Sequence, residues 1–213
     1  MTDVFPYPDT IMFETLPPEA VYAAGFAFVA LLAAGRLYVG EQYFDETARF
    51  WAPVRRLFVP ALHRAFQRAD EDIYAETDVS ADELVVALRD VSVDDVRDDL
   101  AASGYQPQPL ASVATDWFGQ PEAASWARYH GPKPFAGAPE WLRPRQVHVR
   151  LFEDTRAGAF DVVVTAHEEA NAWRPDLWRD HYRGESLDVE RGVAMAADDL
   201  GVAPAQDEEH DAL

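Results

Sequence analysis

Six polar residues in the last third of the chain combine three imidazoles, two guanidinium groups and one carboxylate. They lie in three short stretches whose sequences are HVR, AHE and HYR. The residues are His148, Arg150, His167, Glu168, His181 and Arg183.

These groups suit three kinds of chemistry. Imidazoles with a carboxylate can bind zinc, so His148, His167 and His181 are candidate ligands of a divalent metal. A histidine beside a carboxylate can act as a general base, and Arg150 and Arg183 could hold a phosphate or carboxylate. Alternatively, all six residues form a polar outer face of a sheet, paired with surface carboxylates. The sequence requires no cofactor and leaves these alternatives open.

A β-hairpin would bring the first two stretches together. In QVHVRLF, apolar residues alternate with His148 and Arg150, and FDVVVTAH alternates in the same way before it ends at His167. Because strand side chains point to opposite faces in turn, the pattern predicts two antiparallel strands with the histidines close together. A slip of one residue would change which side chains meet.

Capping residues and apolar spacing predict the other elements of an α+β domain over 80–201. Helices are expected after Ser80 and Ser92, and a final helix is expected over 187–200. A strand is expected over 124–130. The domain therefore combines a small antiparallel sheet with packed helices, and we expect the acidic tail, 202–213, to be disordered.

Residues 20–40 form an apolar run without a charge before Arg36. A helix of this length rises about 30 Å, the thickness of the hydrocarbon layer of a bilayer. We therefore expect a transmembrane helix after an extracytoplasmic lead-in over 1–19. Two alternatives are a helix buried in a soluble core and a cleaved signal peptide.

The segment 41–69 is expected to be a basic amphipathic juxtamembrane segment on the lipid headgroups. From Arg36 to Arg68 there are six arginines against three acidic residues, in an otherwise acidic chain. The positive-inside rule then predicts a single-pass protein of the cell membrane, with its N-terminus outside and the domain in the cytoplasm. The expected partners are the lipid bilayer and another membrane protein, or a second copy, through the alanine-rich helix face.

The chain is strongly acidic, with a formal net charge of −20 and a single lysine, Lys133. Such a surface is typical of a salt-rich cytoplasm, so we expect a halophilic source. The same acidity argues against a nucleic-acid ligand, which needs a clustered basic face. The absence of cysteine excludes disulfides, thiolate metal sites and a cysteine nucleophile.

Three motifs in the order HVRLF, AHEE and HYRGESLDVER resemble the C-terminal domain family of LssY, over about residues 80–201. That family carries an HxRLW-like strand, an SHD-like strand end, and a histidine before a DxER helix. The resemblance implies a domain often found in membrane-associated proteins, and it transfers no catalytic role. The matching positions are His148, Arg150, Leu151, His167, His181, Asp188, Glu190 and Arg191, whereas Phe152 and Glu168 depart from the pattern.

The function expected from these observations is a membrane-anchored binding or accessory domain. One alternative is a membrane-tethered hydrolase directed by a metal or a phosphate. The other is a soluble structural protein that holds the N-terminal helix in its core.

Overall fold

A computed structural model of the protein describes residues 17–39, 55, 59, 67, 78–153 and 160–204. The strands are β1 (Leu84–Leu88), β2 (Gln106–Pro107), β3 (Ala124–His130), β4 (Arg145–Glu153) and β5 (Val162–Ala170). The helices are α1 (Pro18–Val39), α2 (Val93–Ala102), α3 (Trp178–Tyr182) and α4 (Val189–Leu200), with short 3₁₀ turns at Ala81–Glu83, Glu140–Leu142 and Pro175–Leu177. The strands form one antiparallel sheet in the order β1-β5-β4-β3-β2.

One face of the sheet is apolar and is covered by α2 and α4. Every second residue of the two central strands contributes to it, as the alternation predicts. Gly192 of α4 lies so close to β5 that a Cβ atom there would be 2.2 Å from the carbonyl carbon of His167. The buried residues of this core include Val96, Leu100, Val147, Val149, Leu151, Val162, Val164, Ala166, Ala196 and Ala197.

The opposite face of the sheet is also covered, by α1 at one end and by loops. Val29 and Leu32 of α1 belong to a buried cluster with Trp141 and Trp173. All nine residues of β5 are buried. The central strands therefore have no solvated face, and the interpretation of the histidine stretches as a polar outer surface is wrong.

The sequence predicted the α+β class, the β4–β5 hairpin, β3 and the helix after Ser92 correctly. The helix predicted after Ser80 is wrong. The Ser80 capping box is present, but it starts only one 3₁₀ turn. The chain then becomes β1, because the run LVVAL is continuously apolar and pairs with β5. The last helix is capped by Asp188 and ends at Gly201.

The prediction of a transmembrane helix, and with it the single-pass, N-out localisation in the cell membrane, is wrong. Among the described residues, no helix combines the length and apolar character needed to cross a bilayer. Helix α1 buries Gly25, Val29, Leu32 and Arg36 on one side of the helix. The alanine-rich side, with Ala23, Ala24, Ala27, Ala30 and Ala34, is exposed.

Two arginines that suggested headgroup binding lie inside the protein. The Arg36 guanidinium is 1% exposed, hydrogen-bonds to Gln106 and lies 5.2 Å from the ring centre of Trp141. Arg55 forms an ion pair with the fully buried carboxylate of Glu122. The charges of these two arginines therefore have partners inside the protein. The segment 41–69 apart from residues 55, 59 and 67, the lead-in before residue 17 and the tail from residue 205 lie outside the described residues.

Candidate metal centre

Glu169, near the end of β5, lies at the centre of a buried group of imidazoles. One of its carboxylate oxygens, Oε1, is 3.2 Å from His148 Nδ1 and 3.7 Å from His167 Nε2. The other, Oε2, is 3.0 Å from His181 Nδ1. Three histidines from separate stretches thus converge on one carboxylate.

The pairing of β4 and β5 produces this convergence. His148 is directly opposite His167, and Gln146 is directly opposite Glu169. Because residues two apart on a strand share a face, all four side chains lie on the face away from α4. Gln146 donates a hydrogen bond of 2.6 Å from Nε2 to Glu169 Oε1, and its own oxygen accepts one from Gln108.

The two strand histidines are each oriented by a second hydrogen bond. Glu83, from the 3₁₀ turn before β1, is 2.6 Å from His167 Nδ1. A carboxylate accepts and does not donate, so Nδ1 carries a proton and Nε2 faces Glu169. Ser125 Oγ of β3 is 2.7 Å from His148 Nε2, which directs Nδ1 of that ring towards Glu169. These hydrogen bonds fix the orientation of the two nitrogens that face Glu169, His148 Nδ1 and His167 Nε2.

His181 reaches the group from α3. Its Nδ1 is 2.9 Å from the carbonyl oxygen of Ala170 as well as 3.0 Å from Glu169 Oε2. Both neighbours accept hydrogen bonds, so this nitrogen is the donor. His181 therefore contacts the carboxylate as a proton donor, whereas His148 and His167 direct ring nitrogens at the other oxygen.

The protonation of the group follows from burial and charge. Burial lowers the pKa of His148 to about 3, and Arg150 adds to the effect, so this ring is neutral. Burial opposes charge on His167 too, but the carboxylates of Glu169 and Glu83 outweigh it and raise the pKa to about 9. Burial would raise the pKa of Glu169, yet the three histidines, His181 foremost, hold it well below its usual range. Without a metal, His167 is a cation beside an ionised Glu169.

Three side chains of this group could hold one metal ion. His148, His167 and Glu169 each offer one atom, and these atoms all lie within 4.8 Å of one another. For bonds of about 2.1 Å and tetrahedral angles, ligand atoms lie about 3.4 Å apart, close to the 3.2 Å and 3.7 Å found here. His148 Nδ1 is fully buried and makes no hydrogen bond of acceptable geometry.

A cavity of about 60 Å³ adjoins this group. That volume would hold roughly four water molecules. Arg150 lies on its wall and is 3.3 Å from Glu122, which also pairs with Arg55. The wall includes His148, Arg150, His167, Glu169, His181 and Tyr182.

Two of the six residues selected from the sequence lie away from this group. Glu168 points to the opposite side of β5, where its carboxylate contacts Arg145, His130 and Arg191. Arg183 is 3.8 Å from Glu185 and does not line the cavity. The structure brings together His148, Arg150, His167 and His181. The carboxylate of this group belongs to Glu169, whereas Glu168 was the residue selected from the sequence.

The motif residues at the start of α4 have structural contacts. Asp188 caps the helix by accepting a hydrogen bond from the Arg191 backbone, and its own backbone pairs with that of Glu168. The Arg191 side chain lies 3.5 Å from the Glu168 carboxylate, and Glu190 is exposed. These residues hold α4 against β5.

No protein family model, curated protein or solved structure matches this chain. The resemblance to the LssY C-terminal domain therefore stays a prediction. The geometry of the buried group is the basis for inferring function.

Proposed function

We propose that the protein binds one divalent transition-metal ion through His148, His167 and Glu169 and uses it to hydrolyse a small substrate. The observation that carries this proposal is the convergence of two oriented imidazole nitrogens on one buried carboxylate beside a cavity. Ionisable groups are costly to bury, so a buried cluster of this density is a candidate functional site.

The hydrogen-bond partners of the two histidine ligands favour a metal site over a purely structural network. Metal-bound histidines commonly donate a hydrogen bond from their second ring nitrogen to a carboxylate or another oxygen. His167 has this arrangement with Glu83, and His148 has it with Ser125. Among the described residues, His148 Nδ1 has a 3.2 Å contact with Glu169 Oε1 but no hydrogen bond of acceptable geometry. A structural network would be expected to satisfy this nitrogen.

The number and type of ligands favour catalysis over simple storage. Two histidines and one glutamate form a known catalytic set for zinc, and three protein ligands leave a position for water or substrate. Structural zinc sites are instead closed by four protein ligands. A metal ion held by these residues would lower the pKa of a bound water and would supply a hydroxide near neutral pH.

His181 and Arg150 are placed to assist such a reaction. His181 borders the cavity and can hold or move a proton beside Glu169. Hydrolysis adds water across an ester or phosphoester bond, so it needs no further co-reactant. We therefore prefer a metal-dependent hydrolase to an accessory binding domain.

Metal titration of tag-free protein tests the proposal. After removal of metals with a chelator, the protein should bind one Zn²⁺ or Co²⁺ per chain, and Co²⁺ should give the visible absorption of a tetrahedral site. His148→Ala and Glu169→Gln should weaken binding by at least about tenfold, because each removes one of three ligands.

His130→Ala is the matched control, because His130 is a histidine of β3 whose contact is Glu168 on the opposite face. It should bind metal as the unaltered protein does. A chain that binds no stoichiometric metal would refute the metal centre. Iron-dependent consumption of oxygen, without zinc-dependent hydrolysis, would refute the hydrolase while leaving the ligands correct.

A further inference from the structure

Within the part of the chain that the structure describes, two buried polar atoms next to the candidate metal centre have no hydrogen-bond partner. They are Nε of Arg150 on β4 and Oγ1 of Thr165 on β5. The two residues are directly opposite each other in the sheet, and they are 7% and 0% exposed. Buried polar atoms are nearly always satisfied, so two neighbouring exceptions indicate a missing partner.

The charges around Arg150 are also unbalanced. Its Nη1 is 3.3 Å from Glu122, but Arg55 pairs with the same carboxylate and also donates to the backbone oxygens of Ala111 and Ser112. Two guanidinium groups thus share one carboxylate. A buried cation without full compensation is costly, and an anionic ligand would supply the missing charge.

The incompletely compensated positive charge of Arg150 lies close to the proposed metal ligands. Arg150 follows His148 by two residues on β4, so the two side chains project from the same face about 7 Å apart along the strand. Both border the same cavity. A ligand group of a few atoms could therefore contact the guanidinium and the metal at once.

We propose that the cavity binds a small oxyanion, a phosphate or carboxylate group of the substrate, through Arg150. This inference rests on the proposed function, because it assigns a substrate class to the same cavity. The guanidinium offers donors suited to two oxygens of one anion. A cavity of about 60 Å³ has room for one such group.

Calorimetric titration of the tag-free protein with inorganic phosphate, and separately with acetate, tests this inference at fixed KCl concentration. Each titration is run on metal-free protein and on protein loaded with one Zn²⁺. We expect at least one of the two anions to bind both forms, and more tightly when zinc is present. Arg150→Gln should weaken binding at least tenfold in both forms.

Arg97→Gln on α2 is the matched control and should leave anion binding unchanged, because Arg97 contacts Asp94 and a backbone oxygen at the surface. If Arg150→Gln does not fold, Arg150→Lys, which keeps the charge but loses the two-oxygen geometry, decides the question. Anion binding unaffected by these substitutions, or no binding of either anion, refutes the inference. Zinc bound at one per chain in the same samples would leave the metal centre intact, whereas failure to bind zinc would refute the proposed function.

Discussion

Glu169 is the residue on which the proposed chemistry depends. Three histidines contact its carboxylate, and Gln146 donates to the oxygen that faces His148 and His167. The geometry of the centre also depends on the residues that orient the ligands by hydrogen bonds. Glu83 lies 84 positions from His167 in the chain yet fixes its ring, and no local sequence pattern identifies such a partner.

Replacing Glu83 should weaken metal binding without removing a ligand. Glu83→Gln leaves a group of the same shape but withdraws the negative charge that holds the Nδ1 proton of His167. We expect the affinity for Zn²⁺ to fall by about 10- to 100-fold at one ion per chain. Competition with a chromophoric chelator measures this change. An unchanged affinity would show that Glu83 does not position His167.

The pKa of His167 predicts how the stability of the metal-free protein depends on pH. The folded-state value is about 9, against 6.5 for an ordinary histidine. A raised pKa contributes stability that is complete below pH 6.5 and is lost as the pH rises through about 9. In urea unfolding with a chelator present, the free energy of unfolding should fall over this window. The fall should be smaller in His167→Gln, and parallel curves for the two proteins would contradict the assignment.

At the scale of elements, the register of β4 and β5 decides which residues meet. Sequence alternation is sufficient to predict the hairpin and the proximity of His148 and His167. The same period of two places Glu169 on the face of His167 and Glu168 on the other. Glu169 is therefore identifiable from the pattern when the alternation is carried past the end of the predicted strand. The contributions of Glu83, Ser125 and His181 depend on tertiary packing.

Helix α4 supports β5 through a contact that only glycine allows. A Cβ atom at Gly192 would lie 2.3 Å from the Glu168 nitrogen and 2.2 Å from the His167 carbonyl carbon, both backbone atoms that cannot move aside. Gly192→Ala should therefore destabilise the protein by about 3 kcal/mol and displace His167. Thermal or urea unfolding measures the first effect, and zinc affinity measures the second.

Gly35→Ala is the matched control, since Gly35 is also helical but a Cβ atom added there would meet no other atom within 4 Å. It should be neutral or stabilising by up to about 1 kcal/mol. Equal effects at the two glycines would contradict the close packing of α4 on β5.

At the scale of the whole molecule, hydrophobicity and charge in the sequence indicate that a segment is buried. They do not indicate whether it is buried in lipid or in protein. The apolar run of α1 suggests a membrane span, whereas one side of that helix packs on the domain. The arginines after it suggest headgroup contacts, whereas Arg36 and Arg55 are buried. Composition alone does not distinguish lipid from protein as the partner of an apolar helix. The contacts of α1 with Trp141 and Trp173 join residues more than 100 positions apart.

The net charge of −20 predicts a protein stabilised by salt. Helix α2 exposes Asp94, Asp95, Asp98 and Asp99 on neighbouring turns, and like charges at such spacing repel. Screening in 2 M KCl should raise the melting temperature by at least about 3 °C over 0.1 M KCl, or about 1 kcal/mol for a chain of this size. The increase should be smaller in the variant Asp98→Asn with Asp99→Asn. A melting temperature independent of KCl would contradict this prediction.

The central claim is most directly tested by a crystal structure of zinc-loaded, tag-free protein with anomalous diffraction recorded on both sides of the zinc absorption edge. The proposed centre predicts one strong anomalous peak about 2.0–2.2 Å from His148 Nδ1, His167 Nε2 and a carboxylate oxygen of Glu169. A water or anion should occupy the fourth position on the cavity side. An empty site in crystals that contain zinc elsewhere, or a peak held by other residues, would contradict the account.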